Sequence, residues 1–200
     1  YCSRREADRL IEKGEVWING TLATMGTKVM PGDTVMVHHT TITPCQKEYL
    51  LAFHKPAGIV CTTSKIDKNN VIDYLNFPDR IYPVGRLDKE STGLLLLTNN
   101  GQLMDDILRG SNYHEKEYIV HVNKPITDSV LQAMAQGVPI LDTITRPCKI
   151  RRMGKDCFYI TLTQGLNRQI RRMCEYFDYK VVTLKRVRIM NLYLDGLAEG

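Results

Sequence analysis

The stretch Pro83-Val84-Gly85-Arg86-Leu87-Asp88-Lys89-Glu90-Ser91-Thr92-Gly93-Leu94-Leu95-Leu96-Leu97-Thr98 decides how the chain is read. Its four consecutive leucines, bounded by turn residues, form a short apolar run that predicts a buried strand. Ahead of that strand lies a loop with a lone carboxylate, Asp88, two residues after Arg86. A loop at the mouth of a rigid core strand is where a sheet protein places chemistry. Taken alone, an Arg-x-Asp triplet reads more readily as an Asx turn with a solvated ion pair. The longer string is what carries weight.

Two hundred residues allow one large domain, or a medium domain with a small one, and 43% hydrophobic content suffices for a sizeable core. The formal net charge is +5, and residues 165–190 hold an equal excess: Arg168, Arg171, Arg172, Lys180, Lys185, Arg186 and Arg188 against Glu175 and Asp178. Such a patch points to a polyanion, RNA or DNA first, although a solvated helix face is the plainer reading. The six cysteines include no Cys-x-x-Cys pair or zinc-ligand spacing, and the five histidines make no His-Glu-x-x-His pattern, so no metal is expected. The thiols read as reduced and mostly buried, in a cytoplasmic chain without signal peptide or membrane-spanning run. The chain starts at Tyr1 without a methionine and reads as a fragment.

From the N-terminus, Ser3 and Glu6 fit a capping box, and Ala7, Leu10 and Ile11 share one helical face. Arg5, Arg9 and Lys13 recur along another face, and Gly14 ends the helix. Residues 16–20 predict a strand closed by an Asn-Gly turn, and 35–37 a further strand. A helix presenting arginines beside a small hairpin suits a phosphate backbone. Residues 38–48 read as a polar linker. Strands are expected at 49–53, within 111–122, and at 148–153, 158–163 and 181–190, with helices at 71–77, 102–109 and 127–136. Alternation places Tyr118, Val120 and Val122 on one strand face, where a tyrosine is ordinarily core. Asn167 is positioned to cap a helix whose apolar face is Ile170, Met173, Cys174 and Phe177, with Arg171 at its border. Basic and apolar residues alternate through 181–190, predicting a strand whose cationic side lines a groove.

Residues 85–95 resemble the motif that carries the catalytic aspartate in the RsuA/RluA class of RNA pseudouridine synthases, with every defining position present. Lys116-x-Tyr118 resembles that family's Lys-x-Tyr motif, and 167–173 its third motif, an apolar residue followed by a basic one. Lys55-Pro56-Ala57-Gly58 stands where the family has a Lys-Pro-x-Gly segment. Residues 2–11, 14–20 and 31–33 resemble an S4 RNA-binding domain whose usual first helix is missing before Tyr1. Within the RsuA/RluB/RluE/RluF type, 114–122, 137–140 and 164–173 look closest to the large-subunit ribosomal RNA synthase F (RluF-like) subgroup.

The resemblance implies isomerisation of a uridine in large-subunit ribosomal RNA, without cofactor. The N1–C1′ bond breaks, the uracil turns, and C5 bonds to C1′. Asp88 is implied as the catalytic carboxylate, attacking C1′ or promoting loss of the C2′ proton. Shielding from water disfavours its charged form, and the resemblance supplies Arg171 as the compensating partner. Tyr118 would stack on the uracil and take the C5 proton, and Ile170 would floor the base. Base flipping costs about a few kcal/mol. Arg86 would fill the gap or grip a phosphate, and Lys55 and Lys116 would meet substrate. Arg4, Arg5, Arg9, Arg168, Arg172, Lys185, Arg186 and Arg188 are the expected RNA contacts. A stem-loop is the expected target, since RNA readers engage splayed bases, with transfer RNA as a second substrate class. A monomer without membrane association is expected.

Two rival readings are a non-catalytic S4-type ribosome-assembly factor and a hydrolase with paired carboxylates. The first should have lost Asp88, Tyr118 or Arg171. The second needs two carboxylates roughly 5–10 Å apart, and Glu90 is the sole acidic neighbour of Asp88 in sequence. The expected fold is α+β. An S4-like module spans residues 1–43, and a catalytic domain on a mixed, largely antiparallel sheet spans 44–200. Asp88, Tyr118 and Arg171 should converge in a cleft across that sheet.

Overall fold

The computed structural model describes residues 1–43 and 47–200. Pro44 and Cys45, part of the expected linker, lie outside the described residues. The chain divides into two compact units, Tyr1–Lys47 and Glu48–Gly200.

In the first unit, helix α1 (Arg4–Glu12) is capped by Ser3, whose hydroxyl accepts the Glu6 N–H at 3.2 Å. The Glu6 carboxylate faces Arg9 at 3.4 Å along the helix. Strands β1 (Val16–Ile18) and β2 (Thr21–Leu22) form a hairpin whose turn has Asn19 and Gly20 both at positive φ, the backbone that tight antiparallel turns require. Asp33 ties the next turn together by accepting the Met30 N–H at 2.7 Å and the Asn19 amide at 2.8 Å. The start of the expected linker is instead sheet. Strands β3 (Val35–Val37) and β4 (Thr40–Thr41) pair through a turn with His38 and His39 at positive φ. Leu10, Val16, Ala23 and Val37 form the small core.

The second unit contains, in chain order, β5 (Leu50–Lys55), α2 (Val71–Leu75), β6 (Tyr82–Val84), β7 (Thr92–Thr98) and α3 (Gly101–Leu108). There follow β8 (Lys116–Val122), α4 (Asp128–Gln136), β9 (Pro139–Ile140), β10 (Thr143–Ile144), β11 (Lys149–Arg152) and β12 (Cys157–Leu162). Helix α5 (Gln169–Tyr176), β13 (Val181–Ile189) and β14 (Leu192–Tyr193) complete it. Eight strands form one sheet, ordered β11-β12-β8-β13-β7-β5, with β14 on β13 and β6 on β7. Only the β13–β7 pairing in that sheet is parallel, and it is two residues long, Lys185 with Thr92 and Arg186 with Gly93. The unit is thus α+β, with the mixed and largely antiparallel sheet expected.

The four leucines of β7 are essentially buried because the sheet is covered on both faces there. Leu95 and Leu97 join Phe53, Val71, Ile81 and Leu87, whereas Leu94 and Leu96 join Val84, Ile107 and Ile189. A third cluster, centred on Phe158, Ile160, Met134 and Met173, packs α4 and α5 against β8 and β12. Residue 93 must be glycine for β7 to reach β13. Its φ is +105°, and a Cβ there would fall 2.1 Å from the Arg186 carbonyl oxygen.

Candidate active site

Strand β6 ends at Val84, and Gly85 at φ +79° turns the chain into the Asp88 loop. Leu87 anchors that loop in the core, its N–H donating to the Cys61 sulfur at 3.3 Å. The Ser91 N–H closes the loop on the Asp88 carbonyl at 3.0 Å, and β7 begins at the next residue. Asp88 therefore projects from a loop pinned at both ends.

Helix α5 brings Arg171 to it. The Arg171 Nε lies 3.4 Å from Asp88 Oδ2, and its Nη2 donates to Ser91 Oγ at 3.2 Å. Arg168 Nη1 stands farther off, 3.9 Å from both Asp88 Oδ2 and Glu90 Oε2, on a more exposed side chain. Asn167 does not cap α5 as expected. Arg168 occupies the cap in the left-handed conformation, and Asn167 accepts from Arg172 through its carbonyl at 3.1 Å and its side chain at 3.3 Å.

Strand β8 presents Tyr118 and Lys116, and β13 presents Arg186, into the same space. The result is a cleft of about 500 Å³ whose lining includes Arg86, Asp88, Ser91, Lys116, Tyr118, Arg168, Ile170 and Arg186. The structure thus brings Asp88, Tyr118 and Arg171 together from residues far apart in sequence. Arg86 is exposed at the rim and makes no hydrogen bond or ion pair among the described residues. Ile170 is buried beneath the cleft.

Three sequence expectations are corrected. Lys55 does not meet substrate: it is fully buried, and its Nζ donates to the carbonyls of Pro56 (2.7 Å), Ile59 (2.8 Å) and Lys89 (3.3 Å). It is a strut under the Asp88 loop, and burial pushes its ammonium below the usual lysine range. Arg186 is not on the outer surface of the strand: it is 2% exposed, its Nε donates to the Leu94 carbonyl at 2.7 Å, and it lines the cleft instead. Arg188 is spent internally on Glu115 (2.9 Å), Glu117 (3.1 Å) and the Met190 carbonyl (2.7 Å). The pairing of β13 with β8 shifts register between Arg186 and Arg188, so simple alternation does not describe which residues face out. Lys185 is half-buried on the same strand. Arg4, Arg5 and Arg9 are exposed on α1 of the first unit.

Sequence reasoning missed Ser91 as a partner of Arg171, although Ser91 sits in the same string as Asp88. It also missed Gln169, buried in α5 with its side-chain oxygen accepting the Leu166 N–H at 3.1 Å. No sequence signal marks Gln169.

Among known proteins, the family described as RNA pseudouridylate synthase matches residues 49–176, which include Asp88, Tyr118 and Arg171. The chain belongs to that family. The S4 domain matches residues 1–35. The dual-specificity RNA pseudouridine synthase RluF of Escherichia coli strain K12 is 53% identical over the full chain, which covers 69% of that protein. Ribosomal large subunit pseudouridine synthase B of Bacillus subtilis is 34% identical, again over the full chain and 85% of that protein. A crystal structure of a pseudouridylate synthase superposes with a TM-score of 0.73 at 28% identity, covering 98% of this chain and 87% of that one. The fold is therefore the pseudouridine synthase fold with an S4 domain at the N-terminus, and the chain is an RNA pseudouridine synthase. Among the described residues, no helix is long and apolar enough to cross a membrane.

Proposed function

We propose that this enzyme isomerises a specific uridine of large-subunit ribosomal RNA, with Asp88 as the catalytic carboxylate. The observation that carries this reading is that Asp88 and Tyr118 line one cleft, with Arg171 3.4 Å from the Asp88 carboxylate. Arg171 is nearly buried, so its attraction for the Asp88 carboxylate is less screened by water than that of a solvated cation. Ser91 fixes the far end of the guanidinium. Asp88 meets the ribose at C1′ or takes the C2′ proton. Tyr118 stacks on the flipped uracil and removes the C5 proton, Ile170 supports the base from below, and Lys116 meets substrate. Arg86, free at the rim, fills the gap the base leaves.

RNA is gripped by Arg4, Arg5 and Arg9 of the S4 module (residues 1–43), and by Arg168 and Lys185 of the catalytic domain (44–200). The target is a stem-loop, in which the base is already partly unstacked. The "dual-specificity" name of the 53% identical relative supports a second RNA class, with transfer RNA the first to test. The enzyme acts as a cytoplasmic monomer.

The test is tritium release from uracil C5 in labelled large-subunit ribosomal RNA, comparing the parent with Asp88→Ala at equal RNA occupancy. Release by the parent alone is the expected result. Release by both proteins would remove Asp88 from the centre of the reaction. Release by neither, with tight binding retained, would favour an RNA-binding assembly factor or a different RNA target.

A further inference from the structure

Arg186 lines the cleft, yet it is nearly buried and has no ion pair among the described residues. Its Nε is satisfied by Leu94, but its Nη2 is enclosed without a hydrogen-bond partner. The guanidinium carbon lies 6.0 Å from the centre of the Tyr118 ring, its register partner on β8. Lys116, two residues from Tyr118 on the same strand, also lines the cleft, and its Nζ reaches the His114 carbonyl at 3.3 Å. Burial, and then the charge of Arg186, push the Lys116 ammonium below the usual lysine range, so the two cations feel each other. A buried cation without a counter-charge is costly, and so is an unpaired buried donor. Both costs are removed if negative charge arrives in the cleft during the reaction.

The reaction supplies such a charge. When the N1–C1′ bond breaks, its electron pair stays on N1, and the detached uracil is an anion delocalised over O2 and O4. The deficit at C1′ is met by an ester bond to the Asp88 carboxylate, or by loss of the C2′ proton to it. The ring turns, and the C5 electrons form the C5–C1′ bond as the ester bond to Asp88 breaks, or as Asp88 returns the proton to C2′; the C5 proton then leaves to Tyr118, and N1 takes up a proton. No electrons are gained or lost overall. Between the two bonds the uracil anion must be held and must still be able to turn.

We infer that Arg186 and Lys116 form a cationic seat beside Tyr118 for the detached uracil anion. This rests on the pseudouridylation reading above, and it separates two electrostatic duties. Arg171 holds the carboxylate that serves the ribose, and Arg186 with Lys116 serves the base. Gly93 makes the seat possible by letting the Arg186 backbone lie against β7.

The experiment compares single-turnover breakage of the N1–C1′ bond in two RNAs, with uridine or 5-fluorouridine at the target position; the fluorinated ring has no C5 proton to lose, so bond breakage and not pseudouridine formation is the readout. Fluorine withdraws electrons and stabilises the detached anion by itself. Arg186→Met should slow the uridine substrate by about 100-fold, as loss of a preorganised charge-stabilising donor does. It should slow the 5-fluorouridine substrate by at least about tenfold less, and Arg186→Lys should recover part of the uridine rate. Lys116→Met should repeat the pattern with a smaller loss, and it decides the matter if Arg186→Met does not fold. Equal losses on both RNAs would mean that these residues only support the structure, and would overturn the seat. A parent enzyme that converts neither RNA would overturn the pseudouridylation reading itself, and the seat with it.

Discussion

Gly93 passes directly against the backbone of Arg186. A Cβ at position 93 would lie 2.1 Å from the Arg186 carbonyl oxygen and 2.6 Å from its nitrogen. This contact is where the two parts of the large sheet meet, at its single parallel pairing. It also sets the height of Arg186 behind Tyr118. Substitution here strains the backbone at φ +105° and forces two strands apart. Gly93→Ala should therefore cost about 3 kcal/mol or more, measured by urea unfolding. A cost under about 1 kcal/mol would mean the strands do not approach as described.

The two arginines near Asp88 should differ in weight. Arg171 has a side chain 10% exposed at 3.4 Å, whereas Arg168 is 44% exposed at 3.9 Å. Arg171→Met should lose about 100-fold or more in turnover, because it frees the reacting carboxylate. It should also lose about 2 kcal/mol of stability, below the fully buried limit because Asp88 remains 28% exposed. Arg168→Ala should change stability by less than about 0.5 kcal/mol and turnover by less than about tenfold. Equal effects from the two would contradict the geometry.

Glu115 gives a pH signature remote from the reacting groups. Hydrogen bonds from Lys149 and Arg188, outweighing its desolvation, hold its carboxyl below the usual value of 4.5. A depressed carboxyl stabilises the fold fully above its unfolded value, and that contribution is lost as pH falls through the folded value. The stability gap between the parent and Glu115→Gln should therefore be constant above about pH 5 and shrink below 4.5. The gap itself should be under about 1 kcal/mol. A gap that widened in acid would reverse the sign of the argument.

Burial should silence two cysteines. It pushes the Cys174 thiol up to about 12 and the Cys148 thiol up to about 11, from an ordinary 9.0. Since the thiolate is the nucleophile, Cys174 should alkylate about 1000-fold more slowly at pH 8 in the folded protein than in urea. Peptide mass spectrometry after iodoacetamide treatment would read this directly. Labelling of Cys174 at the pace of the half-exposed Cys2 would show that α5 does not pack as found.

Much of the fold was legible before any coordinates. Ser3 and Asn19-Gly20 marked element boundaries through local chemistry, and the structure uses both that way. Strand β7 was legible because four leucines in a row can only be buried. The short β9–β10 pair was not, since two-residue strands carry no periodicity. The cap of α5 misled because Asn167 is a good capping residue whose side chain found Arg172 instead.

At the site, the sequence by itself determined the inventory. It supplied the carboxylate of Asp88, the ring of Tyr118 and the guanidinium of Arg171, each inside a local string of recognisable chemistry. What only the tertiary structure decided was the state of each cation. Lys55 and Arg188 are consumed by internal acceptors, Arg171 is shared between Asp88 and Ser91, and the Nη2 of Arg186 is left enclosed without a partner. The reason is physical: a charge acts according to its distance from partners and from water, and both depend on segments remote in sequence. A register shift within β13 and a missing Cβ at Gly93 set those distances, and neither has a signature in composition or periodicity.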